Sequence, residues 1–480
     1  MTASFEGRDA IAFLIRSPAY VRNFDPVLRA LGSRGHRVTV LFEQRKEPGD
    51  EGGHGLIRRL CDEHDSLRFE FLAPVPLRVR GRLRKVVGAG RDYLRYFEPP
   101  YGDAAKLRSR AAGRVPDAVE RALAVTLRRL PRGRRALASA ARRVDGWLGE
   151  DPDVRRQLEA RRPRLLVVTP MVQLRSRQSD WVHAAHGLGI GTMLCVHSWD
   201  NLTNKGLMRA RPGTVVVWNE AQRRQAIELH AAARDSIVVA GAWPYDRWFG
   251  WRVRRSRADL CRHLGLPGDR ALLLYVCSSR FIAEREPPAV LRWVRAVRSS
   301  SDPRLAAASV IVRPHPLNGG EWGRSTFSEL PGVRVFPPHG AEPVDDSSRS
   351  DYFDSIANAD AVVGINTSAL IESAIVGRPA LALPDPEFRA SQDELPHFRE
   401  LAGEGGIVKV ASSMAEHLAQ LGEALSDSTV EAARRQRFVE AFIRPGGSSP
   451  PPSERVVAAI DALLDGAPTG SRGPKVVTVP

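Results

Sequence analysis

Short runs of β-branched and aliphatic residues alternate with helical stretches through most of the chain, and this rhythm restricts the possible folds more than any other feature. Such alternation is typical of βαβ units, in which the strands run parallel. Strands are predicted in the first half at Ala10–Ile15, Arg37–Phe42, Leu67–Leu72, Leu165–Thr169, Thr192–Val196, Thr214–Trp218 and Ile237–Ala240. Strands are predicted in the second half at Ala271–Cys277, Ser309–Val312, Val333–Phe336, Ala361–Gly364, Ala380–Leu383 and Ile407–Val410. Each half therefore has enough strands for a sheet of its own.

The length of the chain also favours two domains. A chain of 480 residues exceeds the size, about 250–300 residues, at which a single hydrophobic core stops growing. The segment Gly241-Ala-Trp-Pro-Tyr-Asp246 separates the two sets of strands, and its glycine and proline break regular structure. We therefore predict an α/β protein with two Rossmann-like domains facing a cleft. Residues 1–245 form the first, with a helical insertion at about 76–149, residues 246–466 form the second, and residues 467–480 form a loose tail.

The positive charge is concentrated in one segment. The formal net charge is +16, and the residues from Arg78 to Arg143, with 19 basic and 5 acidic side chains, contribute +14 of it. Arginine alternates here with leucine, valine and alanine, a composition that suits an anionic membrane surface. The alternative is a solvated arginine-rich surface. Nucleic acid is not expected as a partner, because few aromatic residues that could stack on bases occur in this segment.

The cysteines and the apolar runs indicate where the protein resides. Cys61, Cys195, Cys261 and Cys277 are widely spaced, which indicates neither a disulfide framework nor a metal site. The first apolar run is too short for the core of a signal peptide, and no run approaches the ~18 residues of a membrane span. We expect a cytoplasmic protein, with the basic segment as a means of peripheral attachment to the inner face of the cell membrane.

The most specific motif runs from Asp360 to Pro379, with the sequence DAVVGINTSALIESAIVGRP. A strand ends just before the cap residues Asn366, Thr367 and Ser368, and Gly-x-Pro ends the helix that follows. The N–H groups at such a helix start suit a phosphate, and Glu372, on the same helix face as Ser368, can accept both hydroxyls of a ribose. The alternative is an ordinary αβ unit with a solvated glutamate.

This motif resembles the donor-binding helix of GT-B glycosyltransferases, among them the enzyme that adds N-acetylglucosamine to the lipid-linked peptidoglycan precursor. In those enzymes a Ser/Thr-rich turn holds the diphosphate, and a glutamate five residues before Gly-x-Pro holds the ribose. Thr367, Ser368 and Glu372 match those positions. The resemblance implies the GT-B fold, a nucleoside diphosphate sugar as donor, and catalysis without a bound metal or a further cofactor.

A second motif is Val310-Ile-Val-Arg-Pro-His-Pro316, in which two prolines stiffen the loop after a strand. The loop directs Arg313 and His315 to one place, where both can donate hydrogen bonds to the growing charge of a departing diphosphate. The alternative is a surface loop with both side chains solvated. The His-Pro pair resembles the same position in CDP-glycerol glycerophosphotransferases.

The first domain offers a third motif, Cys195-Val-His-Ser-Trp-Asp-Asn-Leu-Thr-Asn-Lys205, directly after a strand. His197 is a candidate general base for the acceptor hydroxyl, and Asp200 is expected to orient or replace it. The alternative is a packed or capping histidine. The motif resembles the His-Gly-Thr…Lys element of the same glycerophosphotransferases, with His197 and Lys205 matching and Gly-Thr replaced by Ser-Trp.

Weaker signals complete the predicted site. Ser278, Ser279 and Arg280 follow a strand and are expected to add backbone donors and one cation for the phosphates, and the loop Ser17–Arg22 occupies a similar position in the first domain. Neither contains the GxGxxG sequence of a dinucleotide site. His183-Ala-Ala-His186 has no acidic partner cluster, so a metal site is disfavoured.

The sequence thus predicts a glycosyltransferase that moves a sugar from a nucleoside diphosphate to a hydroxyl of a lipid, a polysaccharide or a small molecule, with inversion. Three alternatives stay open: a CDP-glycerol-type glycerophosphotransferase, a UDP-sugar 2-epimerase, and a non-catalytic protein that binds membrane or RNA through the basic insertion.

Overall fold

The computed structural model describes residues 10–44, 50–76, 78–129, 133–174, 176–324, 327, 330–426 and 429–466. These divide into two compact units. The first contains the described residues of 10–44, 57–244 and 444–466, and the second contains those of 50–56 and 245–443. The predicted tail, residues 467–480, lies outside the described residues.

Parallel strands and flanking helices account for most of the described residues. The strands are β1 (Ala10–Ile15), β2 (Arg37–Phe42), β3 (Leu67–Phe71), β4 (Leu165–Thr169), β5 (Gly191–Cys195), β6 (Thr214–Val217), β7 (Ile237–Val239), β8 (Leu272–Val276), β9 (Ser309–Arg313), β10 (Val333–Val335), β11 (Ala361–Gly364), β12 (Ala380–Ala382) and β13 (Val408–Lys409). The helices are α1 (Asp25–Ser33), α2 (Asp50–Glu63), α3 (Val79–Arg95), α4 (Ala105–Ala112), α5 (Asp117–Arg129), α6 (Arg134–Trp147), α7 (Pro152–Arg161), α8 (Gln178–Gly187), α9 (Asn201–Asn204), α10 (Glu220–His230), α11 (Asp246–Gly250), α12 (Arg257–Leu264), α13 (Pro287–Arg298), α14 (Pro303–Ala306), α15 (Asp346–Ala357), α16 (Ala369–Ile375), α17 (Arg389–Gln392), α18 (Pro396–Ala402), α19 (Met414–Ala424), α20 (Thr429–Phe438) and α21 (Pro452–Leu464). Every predicted strand overlaps an observed one.

The first unit contains a parallel sheet with the order β3-β2-β1-β4-β5-β6-β7. The strand order reverses between β1 and β4, since β2 and β3 extend the sheet to one side of β1 and the later strands extend it to the other. All five residues of β4 are buried. Strands that are covered on both faces need a continuous apolar sequence, which explains why the strands could be predicted.

The second unit contains another parallel sheet, with the order β10-β9-β8-β11-β12-β13. Its order reverses between β8 and β11. The central strands β8 and β9 are completely buried. The prediction of an α/β protein with two Rossmann-like domains is confirmed.

The basic insertion forms helices α3 to α6. Helix α3 packs on α6, where Asp145 lies 3.7 Å from Arg84 and accepts a hydrogen bond from Arg91. Arg95 is 1% exposed and donates to the carbonyls of Lys205 (2.8 Å) and Gly206 (2.9 Å). Part of the basic charge of the insertion therefore fixes these helices to the rest of the first unit.

The last helix returns to the first unit. Helix α21 packs against α1, and Arg34 forms ion pairs with Glu454 and with Asp461 (2.5 Å). The sequence pattern had placed residues up to 466 in the second domain, because an amphipathic helix does not specify which sheet it covers. Among the described helices, none has both the length and the apolar character that crossing a membrane requires.

Candidate functional site

The predicted donor residues follow β8, β9 and β11, three neighbouring strands of the second unit. Ligands of doubly wound sheets bind at the carboxyl ends of the strands, next to the point where the strand order reverses. Ser278 follows β8, Arg313 ends β9, and Asn366 follows β11. The strand order therefore brings together three motifs that are far apart in the sequence, at the reversal point between β8 and β11.

Arg313 and Glu372 meet through a residue that the sequence did not single out, Tyr352 of α15. The Tyr352 hydroxyl donates a hydrogen bond to Glu372 Oε2. The guanidinium carbon of Arg313 lies 4.7 Å from the centre of the Tyr352 ring, a cation–π contact. One aromatic side chain thus joins the predicted diphosphate-binding cation to the predicted ribose-binding carboxylate.

Arg313 has a buried guanidinium whose two terminal nitrogens lack hydrogen-bond partners among the described residues. The residue is 3% exposed, and within the described part of the chain neither Nη1 nor Nη2 has a partner. Burial lowers the pKa of Arg313, while Tyr352, Asp351 and Glu372 act in the opposite direction. A buried cation with unsatisfied donors is costly, so the site favours an anion that would pair with it.

The cap residues of α16 have different surroundings. Asn366 is buried, its amide nitrogen donates to the carbonyl of Ser391 (2.7 Å), and its Oδ1 lies 3.2 Å from His397 Nε2. Its side chain is therefore occupied in holding α17 and α18 in place. Thr367 is half-buried and Ser368 is exposed, and the Ser368 side chain forms no cap hydrogen bond.

The loop after β8 is organised by a buried acid, Glu286. Glu286 accepts hydrogen bonds from the backbone N–H of Ser278 (2.9 Å) and from the Tyr275 hydroxyl (3.0 Å), and burial raises its pKa to about 8. The Ser278 N–H is thus already paired. Arg280 is exposed and pairs with Glu321 at 3.0 Å, and Ser279 is half-buried.

His315 is half-buried, and its backbone is closely packed. Its carbonyl accepts from the Asn318 N–H (2.9 Å), and a Cβ on Gly340 would lie 3.0 Å from the same oxygen. Gly340 has φ +68°, which a glycine adopts without strain. The predicted stiffness of the loop therefore has a tertiary contribution besides its prolines.

In the first unit, His197 follows β5 and is 7% exposed. Its Nδ1 lies 2.9 Å from Thr169 Oγ1, and that hydroxyl donates its single proton to the carbonyl of Cys195 (2.9 Å). Nδ1 must then carry the hydrogen in this contact, so Nε2 is the unprotonated acceptor. Burial lowers the pKa of His197 to about 3, so the ring is neutral at physiological pH.

Among the described contacts of Asp200, none is a hydrogen bond to His197. Asp200 accepts from the Ser198 hydroxyl (2.6 Å) and lies 3.4 Å from Lys205 Nζ. It acts on His197 through its charge, which favours the protonated ring. The orienting contact comes from Thr169.

Two further residues lie at this sheet edge: Tyr20, which belongs to a loop that the sequence marked only weakly, and Glu43, which the sequence analysis did not single out. Tyr20, in the loop after β1, packs edge-on against His197 with ring centres 5.4 Å apart. Glu43, directly after β2, accepts hydrogen bonds from Gln178 Nε2 (3.0 Å) and from the Arg177 N–H (3.3 Å). Desolvation raises the pKa of Glu43 to about 7. Its place at the carboxyl end of a predicted strand was the available signal.

A cavity of about 150 Å³ lies between the insertion and α8, and its lining includes Arg177, whose N–H donates to Glu43. Its lining includes Arg84, Arg177, Asp145 and Asp180. Asp180 pairs with both arginines at 2.9 Å. Five cationic and three acidic side chains line the cavity in all, so its lining has a net positive charge. Within the described residues, no group of three His, Cys, Asp or Glu side chains is arranged to hold a metal ion.

No protein-family model matches the sequence, and neither does any curated protein. Solved structures do match. A protein assigned as a UDP-N-acetylglucosamine 2-epimerase from Listeria monocytogenes is 11% identical, with a TM-score of 0.55 over 97% of this chain and 100% of that one. A glycosyltransferase from Rickettsia africae is 11% identical, with a TM-score of 0.53 over 95% and 99%. The UDP-GlcNAc 2-epimerase from Neisseria meningitidis bound to UDP-GlcNAc is 9% identical, with a TM-score of 0.51 over 94% and 99%. The two Rossmann-like domains of this chain therefore form the GT-B fold that these enzymes share.

Proposed function

We propose that the protein is an enzyme that uses a nucleoside diphosphate sugar and transfers the sugar to a hydroxyl acceptor. The observation that carries the proposal is the buried guanidinium of Arg313, whose Nη1 and Nη2 have no hydrogen-bond partner among the described residues and which lies against the Tyr352–Glu372 pair. A diphosphate next to a ribose supplies an anion for the arginine, and the ribose hydroxyls can donate to the Glu372 carboxylate in addition to Tyr352.

In the proposed reaction, the acceptor oxygen attacks the anomeric carbon as the bond from that carbon to the diphosphate oxygen breaks, which inverts the configuration. Arg313 and His315 stabilise the charge that develops on the leaving diphosphate. Thr367 and Ser368 hold the diphosphate, and Glu372 holds the ribose. Ser278, Ser279 and Arg280 contribute secondary contacts. No metal or cofactor other than the sugar donor is part of this scheme.

The base that takes the acceptor proton has two candidates in the first unit. His197 presents a neutral ring with Nε2 as acceptor, and Asp200 adjusts its charge. Glu43 has a pKa of about 7, which is closer to the value that favours general base catalysis near neutral pH. The pH profile of the reaction separates the two.

A UDP-sugar 2-epimerase is the second candidate, because epimerases are prominent among the similar structures. An epimerase changes the sugar without an acceptor, whereas a transferase needs one. Nuclear magnetic resonance of UDP-GlcNAc with the enzyme, with and without an acceptor mixture, distinguishes the two. New anomeric signals in the absence of acceptor would favour the epimerase.

Calorimetric titration with UDP, CDP, GDP, ADP and dTDP tests the common core of the proposal. We expect saturable binding of one of these nucleotides, weakened by Glu372→Ala about tenfold or more because hydrogen bonds to a charged group contribute about 1.5–3 kcal/mol. Glu423→Ala is the matched control, since Glu423 is an exposed carboxylate of the same unit that pairs with Lys409. The proposal fails if no nucleotide binds, or if both variants bind like the wild type.

A further inference from the structure

The insertion exposes apolar side chains that a soluble helix normally buries. Among the described residues nine large apolar side chains are exposed, and five of them belong to α3, α5 and α6: Val79, Leu83, Val125, Val144 and Trp147. Val79 is 81% exposed and Trp147 is 80% exposed. The other eight tryptophans of the chain are all buried or half-buried. Clustered exposed apolar residues mark a surface that contacts another phase or molecule.

These residues lie where two helices meet. The Arg84 side chain donates to the carbonyl of Gly149 and lies 3.7 Å from Asp145, so the start of α3 lies beside the end of α6. Val79 and Leu83 are four residues apart on α3 and therefore share one helix face. Trp147 is the last residue of α6. We call this the α3–α6 surface, formed by Val79, Arg80, Arg82, Leu83, Lys85, Arg143 and Trp147.

The polar residues of the α3–α6 surface are all cations. Arg80, Arg82, Lys85 and Arg143 are exposed, and no described acid pairs with any of them. The acidic residues of the two helices, Asp92 and Asp145, are both buried. The surface thus presents positive charge together with valine, leucine and tryptophan and has no compensating negative charge of its own.

We propose that the α3–α6 surface docks the protein on an anionic phospholipid bilayer, with Trp147, Val79 and Leu83 entering the interfacial region and the cations contacting lipid phosphates. Tryptophan prefers the boundary between headgroups and acyl chains, and basic residues beside an apolar face are attracted to anionic lipid. An RNA partner fits less well, since Trp147 is the single aromatic residue of this surface and base stacking uses several. The proposal is independent of the nucleotide reaction, because docking requires neither Arg313 nor Glu372.

Vesicle sedimentation of the full chain without nucleotide tests this proposal. We expect binding to vesicles of phosphatidylcholine with phosphatidylglycerol and little binding to phosphatidylcholine alone. Trp147→Ser and Leu83→Ser should each weaken binding, and each of Arg80→Gln and Arg82→Gln should weaken it about fivefold. The controls are Val430→Ser, at a valine that is 71% exposed in the second unit, and Arg295→Gln, at an exposed arginine of α13.

Fluorescence provides a readout that a folding defect cannot imitate. Brominated lipids should quench part of the tryptophan emission of the wild type when anionic vesicles are present, and Trp147→Phe should lose that quenching while still sedimenting with the vesicles. Equal binding to neutral and anionic vesicles, no binding, or weakening by the control variants to the same extent would overturn the proposal. So would a preference for single-stranded RNA over anionic vesicles in direct competition.

Discussion

Replacing Arg313 by methionine should separate stability from ligand binding. The substitution keeps a long side chain over Tyr352 and removes the charge. Each unsatisfied buried donor costs about 1–3 kcal/mol. Arg313 has two such donors, Nη1 and Nη2, which find no hydrogen-bond partner among the described residues. Against this, the cation–π contact with Tyr352 contributes about 1–2 kcal/mol. The lowered pKa of Arg313 indicates that burial outweighs the favourable charges around it.

The variant should therefore unfold at the same temperature as the wild type or a few degrees higher. Its affinity for the nucleoside diphosphate should fall about 10- to 150-fold, because a hydrogen bond to a charged group contributes about 1.5–3 kcal/mol. Thermal unfolding followed by circular dichroism and calorimetric titration with the tightest-binding nucleotide measure the two effects. Arg295→Met, at an exposed arginine of the same unit, should change neither.

Two outcomes would refute the reasoning. If Arg313→Met lowers the unfolding temperature and leaves nucleotide affinity unchanged, Arg313 stabilises the fold and does not bind the diphosphate. If nucleotide affinity falls only in proportion to a loss of folded protein, the guanidinium is required for folding. In that case Nη1 and Nη2 of Arg313 form hydrogen bonds in the free protein and are not available to a ligand.

Further predictions concern single residues. If Glu43 is the base, kcat/KM should rise with pH through about 7, since its pKa is about 7, and Glu43→Gln should abolish activity; a flat profile in that range would favour His197 instead. The pKa of His197 is lowered to about 3, so below about pH 6.5 the unfolded chain binds a proton that the folded protein does not, and stability should fall by about 1.4 kcal/mol per pH unit. Thermal unfolding of His197→Gln between pH 7 and 5 should show a smaller decrease, and identical curves would contradict the assignment. Asn366→Ala should lower the free energy of unfolding by about 1–3 kcal/mol, because the Ser391 carbonyl and His397 lose a buried partner; urea unfolding followed by tryptophan fluorescence measures this, and an unchanged midpoint would contradict it.

The strands and the helical insertion could be predicted because their signals are local. A strand that is buried on both faces, such as β8 or β9, must be apolar along its whole length, and the pattern is visible without knowing its neighbours. The net charge of the insertion could also be predicted, because it follows from counting its basic and acidic residues. Counting residues does not tell which of them remain exposed, because the charged Arg95 is buried while the apolar Trp147 is exposed.

The site could be predicted only in part. Arg313 and Glu372 were recognised from their motifs, but Tyr352, which contacts both, lies in a helix without a motif. Asn366 was predicted as a cap residue of the donor-binding turn, and only the structure shows that its side chain contacts Ser391 and His397, which lie further along the chain. The roles of the donor and base residues stay predictions.

The amino-acid sequence by itself determined the α/β class, the number of sheets and the two motifs of the second unit, because hydrophobic period and turn residues act over a few positions. Only the tertiary structure decided the strand orders, the return of α21 to the first unit, and the pairing of His197 with Thr169, 28 residues earlier. Those features depend on contacts between segments distant in the chain. A buried arginine such as Arg313 indicates an anion-binding site only when the side chains around it are known, and the sequence does not give them.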